Sequence, residues 1–147
     1  IIEKITFSKC DVKSMILMVQ KEVAYRLSSL PGNREYGYIT AFLNCFYDIK
    51  VLFNVSRNSF FPVPNVDSAV IKLSKKDKEL ELKDKDLFFK LVQDSFKMKR
   101  KNLRNNLKGY DLEKIVKVLE SYGLDLTVRA ESISLQCFVD IANELSK

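Results

Sequence analysis

The apolar positions change their rhythm several times along the chain. Lys13 to Gln20 reads KSMILMVQ, with an unbroken apolar centre, and predicts a strand covered on both faces as in a parallel sheet. Ile1 to Thr6 opens on two apolar residues with no cap before them and reads as the tail of a helix that began earlier. Glu22 to Ser29 predicts a short helix stopped by Pro31-Gly32. A second helix, Tyr38 to Tyr47, carries Ile39, Phe42, Leu43 and Phe46 at helical spacing and should face a core on that side. Ile49 to Val55 and Ser68 to Lys75 are the other two strand candidates.

The text then turns polar. Ser74 to Asp86, SKKDKELELKDKD, reads as a linker, and it divides the chain into units of residues 1–78 and 79–147. Beyond it the period is helical. Asp86 to Leu107 carries Phe88, Leu91, Val92 and Phe96; Asp111 to Tyr122 carries Leu112, Ile115, Val116 and Leu119; Ser134 to Leu145 carries Phe138, Ile141, Ala142 and Leu145. Gly109 and Gly123 stand where helix ends favour a left-handed residue, and Asp111 and Ser134 stand where starts favour a cap. The expected fold class is α/β for the first unit, followed by a small all-α bundle.

Composition narrows the chemistry. The 147 residues are 46% apolar and 30% charged, as in a globular protein, and no apolar run approaches the ~18 residues that span a bilayer. The amino end lacks the layout of a secretory signal, so an intracellular, cytoplasmic setting without a membrane partner is expected. Cys10, Cys45 and Cys137 are odd in number and far apart, which indicates reduced thiols and neither a disulfide framework nor a metal site. Histidine is absent, removing the usual general base and the Ser-His and Cys-His pairs. Gly32, Gly37, Gly109 and Gly123 form no phosphate-cradling or dinucleotide motif.

Charge is concentrated. Lys97, Lys99, Arg100, Lys101, Arg104 and Lys108 fall within KMKRKNLRNNLK, which has no acid; setting those six aside leaves 19 basic against 19 acidic residues. Such a block is commonly a solvated helix face, but the gathering of the whole excess favours a polyanion. On a helix, Phe96, Leu103 and Leu107 would share one stripe, with Lys97, Lys101, Arg104 and Lys108 beside it. Asn102, Asn105 and Asn106 would then offer donors to sugar or phosphate oxygens.

The other unusual stretch is FFPVPNVDSAVIKL, Phe60 to Leu73. Proline fixes its own φ and extends the residue before it, so Phe61-Pro62-Val63-Pro64 predicts a stiff loop leading into a strand. Phe60 and Phe61 are either core residues or a platform for a flat ligand such as a base, and local sequence leaves both readings open.

Four blocks carry a resemblance: MVQKEVAYRLSSLPGNREYGYIT (Met18 to Thr40), FFPVPNVDSAVIKL, FKMKRKNLRNNLK (Phe96 to Lys108) and RAESIS (Arg129 to Ser134). In order and spacing they resemble the KsgA-type rRNA adenine dimethyltransferases. The P-G-x-x-x-Y-G element and the R-K-x-L-R-N-N-L run look like that branch; the related erythromycin-resistance rRNA methylases share mainly F-x-P-x-P-x-V-[DN]-S.

The resemblance implies the carboxyl-terminal part of a Rossmann-like class I methyltransferase sheet followed by an RNA-binding helical domain. It implies dimethylation of adenine N6 in small-subunit rRNA with S-adenosylmethionine as cofactor, and a 30S ribosomal precursor as partner. The family's glycine-rich cofactor loop, ribose-binding acid and Asn-Leu-Pro-Tyr motif would precede Ile1, so the cofactor site is expected to be missing from this chain, which would be inactive alone. By alignment, Phe60 resembles the adenine-stacking residue, Pro62 and Pro64 stiffen its loop and Phe61 packs; the concentrated charge makes the six cations the expected rRNA-binding residues. Ser14 to Gln20 would lack one strand neighbour, leaving an apolar edge open to dimerisation. Two further classes are a non-catalytic RNA-binding or ribosome-assembly module and a transcription-factor relative of the same fold.

Overall fold

A computed structural model describes residues 1–147. Three strands, β1 (Ser14–Gln20), β2 (Tyr47–Val55) and β3 (Ser68–Lys75), form one sheet in the order β1-β3-β2. Both pairings are antiparallel. Since β1 and β2 each oppose β3, they run parallel to one another, and their carboxyl ends reach the same side of the sheet.

The expectation that β1 is covered on both faces is not met. Met15, Leu17 and Val19 turn toward the helices, whereas Ile16 and Met18 are exposed on the opposite face. The reason is the pleat: successive side chains alternate, and helices cover only one face of this sheet. Cross-strand rows Met15–Leu73–Ile49 and Leu17–Ile71–Val51 make the covered face. A bulge in β2 between Val51 and Phe53 then puts Phe53 beside Val70 and Met18 on the open one. β1 has no strand on its outer side.

Helices α1 (Ile2–Thr6), α2 (Lys21–Leu27) and α3 (Tyr38–Asn44) belong to the sheet unit. α3 stops three residues before its sequence-expected end, and Tyr47 opens β2 instead. Gly32, in the turn between α2 and α3, takes φ +94° and donates its N–H to the Glu131 carbonyl at 2.6 Å. That bond joins the Pro31-Gly32 turn to the Arg129–Ser134 block.

The remaining helices are α4 (Lys85–Ser95), α5 (Leu103–Asn106), α6 (Leu112–Ser121) and α7 (Leu135–Leu145). Asp84, Asn102, Asp111 and Ser134 each cap the helix that follows through a side-chain oxygen. Gly123 ends α6 at φ +69°, as expected, but Gly109 keeps an ordinary backbone. The long helix expected from Asp86 to Leu107 is two helices separated by a turn. Residues 76–84 contain no helix or strand, yet they are not a free tether. Leu80 and Leu82 pack on the bundle, and Asn143 pairs with the Glu81 carbonyl and the Lys83 N–H.

Two apolar clusters hold the chain. One joins the sheet to α2 and α3 through Met15, Ala24, Leu27, Phe42, Leu43, Ile71 and Leu73; the larger is centred on α4, α6 and α7. Their boundary falls along α3 and the Cys45 that caps it, where Phe42 and Leu43 serve the sheet while Ala41 and Cys45 serve the bundle. Phe89 of α4 closes the seam, its ring 5.3 Å from Phe42 and 6.0 Å from Phe46.

Candidate nucleic-acid interface

The loop between β2 and β3 lies at the carboxyl ends of β1 and β2, the side on which open α/β sheets bind ligands. It is closed at its base by a clamp. Asp67 Oδ1 accepts from the Arg57 backbone N–H at 2.9 Å and from Arg57 Nε at 3.1 Å, while Arg57 Nη1 donates to the Asn65 carbonyl at 2.7 Å. The Asp67 carbonyl in turn accepts from Lys21 N–H, tying the loop to the start of α2. The Arg57 backbone donor, then its guanidinium, hold the Asp67 carboxyl below the usual carboxylate range.

Phe60 sits in this clamped loop, half-buried and extended at φ −119°, ψ 150°. Phe61, expected to pack, is fully exposed. Phe61 opens the exposed run of residues 61–66 at the tip of the loop, whereas Phe60, one residue earlier, is still partly covered. Pro62 and Pro64 form the exposed crest, with a cis peptide between Phe61 and Pro62.

The basic segment folds as a turn, not as a helical stripe. After α4 the chain loops through residues 97–102 and re-enters a helix at Leu103, so Lys97, Lys101, Arg104 and Lys108 do not form the regular row expected of them, and Lys99 and Arg100 lie in the loop. All six are exposed, and none takes part in an ion pair. Phe96, Leu103 and Leu107 do turn inward, Leu103 and Leu107 being fully buried.

Asn106 makes the turn. Its Oδ1 accepts from Met98 N–H at 3.1 Å, and its Nδ2 donates to the Ser95 and Met98 carbonyls at 2.8 and 3.2 Å. Asn102 Oδ1 accepts from Asn105 N–H and Nδ2. Asn102 and Asn106 therefore organise the backbone and do not form the row of free donors expected on a helix face.

Lys99 and Lys101 line a groove of about 360 Å³ with Arg26, Glu35, Tyr36 and Glu131. Tyr36 forms part of its wall, packed against Phe96, and burial pushes its phenol up to about 12. Lys97, Arg100, Arg104 and Lys108 lie outside the groove lining. α2 links the two places: Lys21, Glu22 and Tyr25 line a depression with Arg57 and Asp67, and Arg26 faces the basic groove. Seven residues of helix span about 10 Å. The loop base and the groove are thus adjacent along one element.

The Arg57–Asp67 clamp, the Asn106 staple and the Arg26–Tyr36 wall were absent from the sequence reading. Asp67 and Tyr36 stood inside quoted motifs, a signal that marked the positions but not their partners.

No residues described here suit an S-adenosylmethionine cradle. β1 passes into α2 directly at Gln20, with no glycine-rich turn, and the four glycines lie elsewhere. Nor is any cluster of side chains arranged to hold a metal ion.

The fold is that of the class I methyltransferases. A dimethyladenosine transferase from Plasmodium falciparum superposes with a TM-score of 0.77 over 95% of this chain and 59% of its own, at 25% identity. The 23S rRNA methyltransferase ErmE shares the fold, with a TM-score of 0.65 over 92% of this chain and 55% of its own, at 19% identity.

The sequence model described as Ribosomal RNA adenine dimethylase matches residues 1–147, and the chain belongs to that family. Among its relatives, the ribosomal RNA small subunit methyltransferase A of Clostridium botulinum (strain Okra / Type B1) is 40% identical over 141 residues, covering 94% of this chain and 51% of the relative. That of Oceanobacillus iheyensis is 38% identical over 149 residues, covering 97% and 51%. The chain spans about half the length of the curated relatives it matches.

Proposed function

We propose that this chain is the base-accepting and RNA-gripping part of an enzyme that dimethylates adenine N6 in small-subunit rRNA, using S-adenosylmethionine, on a 30S precursor in the cytoplasm. The observation that carries this reading is Phe60, half-exposed on a clamped loop at the carboxyl edge of the sheet, about one short helix from a groove edged by unpaired cations. An adenine drawn from its stack needs a flat apolar surface to replace its neighbours, and Phe60 supplies one. Arg57 and Asp67 hold that ring's loop still, so little orientation is left to be acquired when the base arrives.

The six cations attract the ribose-phosphate strand and displace its counterions. Residues 1–78 supply the base platform and residues 79–147 the helical RNA-binding unit. S-adenosylmethionine would supply the methyl group from a site formed by other residues, so the chain alone binds RNA without methylating it. The open edge of β1, with Ile16 and Met18 exposed, supports self-association of the isolated chain through that strand.

The test is Phe60→Ala in an enzyme that joins this chain to a cofactor-binding half. Transfer of labelled methyl groups to small-subunit rRNA should fall by about 5- to 100-fold, with the melting temperature unchanged. Turnover like that of the unaltered enzyme would refute the assignment.

A further inference from the structure

We infer that Phe61 contacts a second nucleobase: it stacks on the nucleotide next to the target adenine and fills the place that adenine leaves in the strand. The inference rests on the reading of Phe60 given above and extends it to a neighbouring residue with a different task.

Phe61 is fully exposed on a loop whose base is fixed by three hydrogen bonds from Arg57. An exposed phenylalanine keeps its apolar surface in water, and here the surrounding chain gives it no aromatic partner. Among the ring pairs of this protein, neither Phe60 nor Phe61 appears. The two consecutive rings differ in their surroundings: Phe60 is partly covered by protein, whereas Phe61 stands wholly in solvent. One base cannot lie against both. One covered ring and one free ring on the same clamped loop instead address two positions on a strand.

The surroundings favour nucleic acid as the occupant. From Arg57 to Val66 the sequence RNSFFPVPNV holds one cation and no acid, while at the loop base Lys21 and Arg57 stand beside Glu22 and Asp67. Val63 and Val66 are also exposed, so the crest is an apolar wedge free of acidic side chains. Apolar wedges of this form enter the gap between bases and hold an unstacked strand open. Removing an adenine from its stack leaves such a gap, and an aromatic ring fills it at little entropic cost because it has few rotatable bonds.

The experiment uses the 147-residue chain and two RNA hairpins, one fully paired and one with a single bulged adenine. 2-Aminopurine, whose emission reports stacking, is placed either at the bulge or in the adjoining pair. Phe61→Ala should weaken binding to the bulged hairpin by about 5- to 100-fold, weaken binding to the paired hairpin far less, and change the signal only at the adjoining position. Phe61→Trp should restore both affinity and signal. The melting temperature should stay constant, since the ring buries nothing. Equal losses on both hairpins, or an unchanged adjoining signal, would overturn the inference. Phe60→Ala is the companion: a response at the bulge with none at the adjoining position for Phe61→Ala removes only the second contact. A chain that binds neither RNA removes both readings.

Discussion

Replacing Asn106 with alanine isolates what holds the basic turn in shape, because it leaves every charge in place. Asn106 makes three bonds of ordinary length across the turn, to Met98 N–H, the Ser95 carbonyl and the Met98 carbonyl; the fourth contact, to the Lys101 carbonyl at 3.5 Å, is too long to count. At about 1 kcal/mol net per bond, and with the residue only half-buried so that water recovers part of the loss, Asn106→Ala should cost about 2 kcal/mol. With a urea dependence of about 2 kcal/mol per molar, the unfolding midpoint should drop by about 1 M. RNA titrations across a salt series give the second readout. Affinity should fall because the turn must be ordered on binding, while the slope of log affinity against log salt stays fixed, since no cation is lost. A midpoint shift below about 0.25 M, or a changed salt slope, would refute the view that Asn106 shapes the turn without contacting phosphate.

Three other expectations are separable from this one. Neutralising Lys97, Lys101 and Arg104 together should make the salt slope shallower by about 2 to 3, and an unchanged slope would return the block to an ordinary solvated surface. Asp67 has a lowered carboxyl pKa in the folded chain, so its clamp contributes above the ordinary value of 3.8 and is lost as pH falls through the lower folded value. Carboxyl NMR should therefore find its midpoint below 3.8, and Arg57→Met should raise that midpoint only partway because the backbone donor remains; a midpoint at or above 3.8 in the unaltered chain would remove the clamp. Sedimentation at rising concentration should show the isolated chain associating, and Ile16→Lys with Met18→Lys should abolish it; a single monomer boundary at high concentration sinks that idea.

Much of the architecture was legible in local rhythm. The helical stripes of α6 and α7 and their caps at Asp111 and Ser134 read directly because one chain segment contains both the pattern and its terminators. β1 was harder. An unbroken apolar run tells of hydrophobicity but not of pairing direction, and the antiparallel ladder with β3 joins residues as far apart as Ser14 and Ser74. The break between α4 and α5 was hidden because Phe96, Leu103 and Leu107 keep helical spacing by number while a side chain eight residues distant, Asn106, ties off the turn at Met98. At the candidate interface, composition exposed the cations and motif matching exposed Phe60. The clamp beneath the loop escaped both, since the ten-residue separation of Arg57 and Asp67 follows no helical or strand period. Phe61 was misjudged for the same reason that makes it informative: only geometry tells which of two adjacent rings faces outward.

α3 and its capping Cys45 are shared between the apolar clusters, Phe42 and Leu43 belonging to one and Ala41 and Cys45 to the other. A keel shared in this way forbids independent swinging of sheet and helical bundle without opening both interiors at once. The distance from aromatic crest to cationic turn thus becomes a fixed caliper setting, and under the proposed function an RNA would be selected by whether its own folded shape spans that gap.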